Sequence, residues 1–125
     1  MNIQKPVSVN EIRDALVACD GILVVGPEDN KQALALDIIG DHAYATYCCN
    51  EGMRSYSFIK MLTEAFNNGR TMILNDLEFM PSLHMTELVQ FMRDHDSFKV
   101  IATLKDLGRI LNKAFLNRFS CVVQL

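Results

Sequence analysis

Five short, largely apolar runs punctuate this 125-residue chain, and segments with helical patterning separate them. The runs are GILVVG at 21–26, AYATYC at 43–48, TMILND at 71–76, KVIATL at 99–104 and CVVQL at 121–125. A run such as GILVVG, β-branched and with no polar face, reads as a strand buried on both sides, the condition of strands in parallel sheets. Between the runs, residues 8–19, 31–39, 55–67, 82–94 and 110–117 read as helices. Ile12, Ala15, Leu16 and Cys19 form one stripe, and Phe58, Leu62, Ala65 and Phe66 another. Leu88, Phe91 and Met92 mark the apolar side of 82–94. Ser8 followed three positions later by Glu11 is a capping-box signature for the first helix. Asp20-Gly21 and Asn67-Asn68-Gly69 read as helix stops.

Strands alternating with helices predict right-handed crossovers and a parallel sheet covered on both faces. The expectation is a single α/β domain over 1–125, a three-layer arrangement with five parallel strands in which GILVVG and KVIATL are central. The length suits one domain. Twelve basic and 15 acidic side chains give a net charge of -3, which argues against an extended basic surface for nucleic acid. No apolar run approaches the roughly 20 residues needed to cross a bilayer. Met1 to Val9 lacks the apolar core of a signal peptide. A cytoplasmic protein without membrane contact is expected.

Cys19, Cys48, Cys49 and Cys121 form no C-x-x-C pair, and neighbouring strand residues such as Cys48 and Cys49 point to opposite faces. They read as small buried thiols of a reducing compartment. His42, His84 and His95 show no metal-ligand spacing, and the seven methionines read as core filler.

In open parallel sheets, ligands bind beyond the carboxyl ends of the strands. Three segments should converge there: Gly26-Pro27-Glu28-Asp29-Asn30-Lys31-Gln32, Asn75-Asp76-Leu77-Glu78 and Thr103-Leu104-Lys105-Asp106. A strand, a Gly-Pro turn and a lysine opening a helix look like a degraded P-loop, and ILNDLE looks like a Walker B strand. EAFNNGRTMILNDLEFMPSLHMTELVQFM resembles the Walker B region of the dynein-related and MoxR-like branch of AAA+ ATPases. FKVIATLKDLGRILNKAFLNRFSCVVQL resembles that branch's sensor 1 strand, its arginine-finger helix and its last strand. The likeness runs in matching order from about residue 8 onward, and it implies the P-loop NTPase-like fold.

The resemblance also implies roles. Gly26 and Lys31 would belong to the phosphate loop, and Asp76 would be the carboxylate on the magnesium side. Glu78 would stand near the catalytic glutamate, Thr103 would be the sensor 1 threonine, and Arg118 would be the arginine finger that completes a neighbouring subunit's site. ATP and magnesium would be the cofactors of a working site.

The departures from the pattern are chemical. A working loop reads G-x-x-x-x-G-K-[ST]. Here four residues separate Gly26 from Lys31 where five are expected, the glycine before the lysine is Asn30, and the magnesium-binding hydroxyl is Gln32. Glu28 and Asp29 put two carboxylates where phosphate oxygens would sit. Like charges about 5 Å apart repel by roughly 3 kcal/mol at an effective dielectric near 20. The adjacent Asp-Glu of the family is Asp76-Leu77-Glu78, and in an extended segment such an i, i+2 pair would still face one side. Lys105 stands at the usual sensor 1 asparagine, and no helical lid follows Leu125, so the chain either is a fragment or dispenses with the lid.

Each position also has a structural reading. Lys31 is either a vestigial phosphate ligand or an exposed residue at a helix start. Asp76 and Glu78 either chelate a cation or, for Glu78, cap the helix that follows. Arg118 is either a finger or one half of a surface salt bridge. The functional expectation is a non-hydrolysing AAA+-like module for assembly or regulation, working through a protein partner or self-association. The alternative is an atypical ATPase with weak ATP-Mg binding, completed by a partner subunit. A third reading, an interaction domain with only fold-level likeness, also stands.

Overall fold

In the computed structural model, residues 2–4, 9–27, 30–109 and 112–125 are described. Six parallel strands are β1 (Asn2–Gln4), β2 (Gly21–Val25), β3 (Tyr44–Cys48), β4 (Thr71–Asn75), β5 (Val100–Leu104) and β6 (Cys121–Gln124). The helices are α1 (Val9–Ala18), α2 (Asn30–Ile39), α3 (Ser55–Asn67), α4 (Ser82–Asp94) and the short α5 (Lys113–Leu116). The strand order is β1-β6-β2-β5-β4-β3, and every pairing is parallel. All five expected strands are present, with β2 and β5 at the centre and buried at every residue. The short edge strand β1 is an addition that Met1 to Val9 did not announce. Only pairing with β6 makes it a strand.

Alternation along each strand divides the core in two. Ile22, Val24, Ile73 and Ile101 face α1 and α2, which contribute Ile12, Leu16, Ala35 and Ile38. Leu23, Val25, Leu74 and Ala102 face the other layer, where α3, α4 and α5 contribute Phe58, Leu62, Leu88 and Phe115. This segregation of helices is what right-handed crossovers give for this strand order. Met72, Met80, Met85 and Met92 are buried in the second core, which agrees with their reading as filler.

Two histidines serve packing. His84 is buried and stacks on Phe58 at 4.5 Å, joining α3 to α4. His95 stacks on Phe91 at 3.9 Å, beyond the end of α4. Asn112 begins α5, its side chain accepting from the Phe115 N–H at 3.0 Å. The capping role read for Ser8 falls outside the described residues, as do Glu28, Asp29 and positions 110–111.

Helix α5 is one turn long, so its docking rests on Phe115, which is fully buried and 5.1 Å from the Phe119 ring. Phe115→Ala should destabilise the fold by about 3–5 kcal/mol, measured as a lower urea midpoint at unchanged slope. Gly21 opens β2 where a Cβ would lie 2.6 Å from the Arg118 carbonyl oxygen. Gly21→Ala should therefore lower the melting temperature, because the clash is with backbone and no rotamer relieves it.

Candidate functional site

Helix α2 follows β2 on one face of the sheet, whereas α5 follows the neighbouring β5 on the other. The loops leave these strands in opposite directions, and the crevice between them is the topological switch point where such sheets bind ligands. Gly26 and Lys31 come to this edge after β2, Asp76 and Glu78 after β4, and Thr103 near the end of β5. Five of the six residues picked out by the resemblance therefore share one edge. Arg118 does not: it precedes β6 and lies at the opposite, amino edge, beside the first residue of β2.

A side-chain network joins the ends of β3, β4 and β5. Thr103, wholly buried, donates its hydroxyl to Asn75 Oδ1 at 3.0 Å and accepts from the Asp76 N–H at 3.3 Å. Asn75 Nδ2 donates to Thr46 Oγ1 at 3.4 Å, and the Cys48 thiol donates to Asp76 Oδ2 at 3.2 Å. Thr46 was not singled out by sequence reading, Cys48 was read only as a buried thiol, and Asn75 was named only within the segment that ends its strand. The signal available was their place at strand ends, but which ends are neighbours is decided by the strand order.

The Asp-Leu-Glu segment departs from expectation. It is not extended: Asp76 is left-handed, at φ 57 and ψ 53, and Leu77–Phe79 form a 3-10 turn. Leu77 is fully buried in the α3–α5 core, and that burial turns the chain. An aspartate tolerates the left-handed region better than most residues. Glu78 lies on this turn. Its Oε2 accepts from the Lys105 N–H at 3.3 Å, fastening the start of the β5–α5 connection. It does not cap α4, whose first residue follows Pro81 with no side-chain cap.

Lys31 is 5% exposed, which removes the reading of an exposed residue at a helix start. Gly26 donates its N–H to the Leu104 carbonyl at 3.1 Å, and a Cβ there would approach Leu125 Cβ at 3.0 Å. Close packing against β6 is thus a sufficient reason for glycine at this position. Arg118 is half-buried and donates from Nη2 to the Met92 carbonyl at 3.1 Å, at the carboxyl end of α4. A cation is favourable there because it satisfies a helix-end carbonyl. Its Nε is buried without a hydrogen-bond partner among the described residues. Among those residues no three His, Cys, Asp or Glu side chains group as metal ligands.

Burial, and then the Asp76 carboxylate as acceptor and negative neighbour, push the Cys48 thiol up to about 11. Burial pushes Cys49, inside the core, up to about 12. Both are protonated near neutral pH and poor nucleophiles. Between the ordinary thiol value of 9.0 and about 11, the native state keeps a proton that the unfolded chain has lost. Stability should fall with pH across that window. Native Cys48 should resist iodoacetamide at pH 8, and Asp76→Asn should make it react faster by lowering its pKa. Mass spectrometry of the labelled chain checks both outcomes.

No protein-family model matches the sequence, and no curated protein matches it. Solved structures do match in fold. The RuvB Holliday junction branch migration motor of Thermotoga maritima superposes with a TM-score of 0.72 at 17% identity, over 94% of this chain and 44% of that one. Its T158V form gives a TM-score of 0.72 at 15% identity, over 94% and 42%. PCH-2 of C. elegans gives a TM-score of 0.56 at 14% identity, over 93% and 42%. The chain spans less than half the length of these proteins. With its parallel sheet and helix layers on both faces, it has a P-loop NTPase-like α/β fold, which these structures share.

Proposed function

We propose that this chain is an AAA+-like domain, of the dynein-related and MoxR-like kind, whose degraded Walker A loop does not support ATP hydrolysis. It acts as an assembly or regulatory module through protein contacts, in the cytoplasm. The observation that carries this reading is the engagement of Glu78. A glutamate that polarises attacking water must be free to swing over the crevice, and here one oxygen of Glu78 accepts from the Lys105 N–H while Leu77, buried in the core, fixes the turn between it and Asp76. The loop chemistry points the same way. Asn30 and Gln32 replace the glycine and the magnesium-binding hydroxyl, so the residues present do not fit ATP-Mg as a working site would hold it. The motor activity named for RuvB is therefore not carried over.

A second reading rests on Lys31, buried in the first turn of α2, and on Asp76 and Thr103 held at the neighbouring strand ends. These are the parts of the crevice that would support weak ATP-Mg binding completed by a partner subunit. Protein contact belongs to both readings. In each, the surface around Arg118 meets another chain only if the guanidinium leaves the Met92 carbonyl or reaches past it with its other nitrogen.

The purified chain should release no phosphate from ATP with magnesium above the background of a Glu78→Gln control. Turnover that disappears in that control would overturn the main reading. Calorimetric titration with ATP-Mg separates the second: saturable heat lost in Lys31→Ala would support retained binding, and no heat would leave the non-nucleotide module.

A further inference from the structure

At the amino edge of the sheet, away from the crevice, α1 and α2 both end, and a groove of about 520 Å³ opens beside their last turns. Its apolar walls are Leu16 and Val17 from α1 and Ile38 and Ile39 from α2. Val17 is 83% exposed.

The groove wall carries Asp14 and Asp41 against Arg13 and Lys99, with His42 beside them, and what distinguishes the two signs is what each is bound to. Both helices direct their carbonyl ends toward it, and neither carries a basic residue in its last turn. Each such end acts as about half a negative charge. The two cations on the groove wall are already committed to those ends. Arg13 donates to the backbone carbonyls of Asp37 and Ile38 at the end of α2. Lys99 donates to the Cys19 carbonyl at 3.0 Å and pairs with Asp20 at 3.1 Å. On the rim, Asp14 and Asp41 are exposed, and no hydrogen bond or ion pair among the described residues engages either carboxylate. Glu11 and Asp37, also exposed, extend the acidic surface along the same two helices.

An apolar wall, two unengaged carboxylates and cations spent on helix ends together select a complementary ligand. We propose that this groove docks a basic amphipathic segment of another protein, with an apolar side chain against Leu16 and Val17 and Lys or Arg side chains against Asp14 and Asp41. The volume falls in the range of side-chain and small-ligand pockets, about 300–1,000 Å³, so the segment lies across the groove and inserts one or a few anchors. The site is at the opposite edge from Lys31 and Asp76 and stands whether or not the crevice binds nucleotide.

The test titrates the isotopically labelled full chain with a synthetic helical peptide of leucine and lysine at amphipathic spacing, and with its glutamate counterpart, followed by amide NMR shifts. The basic peptide should shift Val17, Gly40, Asp41 and His42, and binding should weaken with salt, as exposed charge pairs do. The joint charge reversal D14K and D41K should weaken it by about tenfold or more, and Val17→Gln, at an exposed position, should weaken it too by removing the apolar contact. Equal binding of the acidic peptide, shifts confined to other surfaces, no shifts at all, or an affinity indifferent to the reversal would overturn the proposal. Concentration-dependent sedimentation of the chain alone, abolished by the reversal, would also overturn it by making a second copy the occupant.

Discussion

Burial of β2 and β5 on both faces is the constraint from which the rest of the molecule follows. All ten of their residues are buried. Each backbone must then find its hydrogen bonds in adjacent strands, and each face must find a helix layer. β6 and β4 supply the flanking strands, α1 and α2 one layer, and α3 to α5 the other. Even the glycines at the two ends of β2 answer to this packing: Gly21 leaves room for the Arg118 carbonyl and Gly26 for Leu125.

The same core reaches into the crevice through one residue. Leu77 is drawn into the α3–α5 core, so the chain after β4 turns at once rather than continuing extended. Asp76 is left in a left-handed conformation, held by Thr103 and Cys48, while Glu78 swings to the β5 connection. Burial of one leucine side chain is worth about 1.5–3 kcal/mol, enough to offset the roughly 1–2 kcal/mol that the left-handed conformation costs an ordinary residue, and an aspartate visits that region more readily than most. The apolar term therefore decides where both carboxylates go. A spacing rule that treats positions i and i+2 as neighbours on one face holds only while the segment is a strand.

Much of the architecture was legible because its signals are local. The apolar runs at 21–26 and 99–104 mark central strands, and the helical stripes at 55–67 and 82–94 match α3 and α4 at both ends. The position of the crevice was legible too, since strand carboxyl ends can be named as soon as strands are. The network was not. Thr46, Cys48 and Asn75 meet because β3 lies beside β4, and nothing within 43–48 states which strand will be its neighbour. Arg118 shows the same limit from the other side. Its place before the last strand was readable, but its bond to the Met92 carbonyl depends on where α4 ends in space.

The sequence by itself determined the alternation of strand and helix and the central place of the two β-branched runs. Periodicity and residue identity are properties of the chain alone. Tertiary structure decided the side chains' partners: Lys31 buried rather than exposed, Glu78 on a backbone amide, Arg13 and Lys99 spent on helix ends. The hydrogen bonds among these join segments far apart in sequence, and they are settled only when the sheet order and the two helix layers are in place.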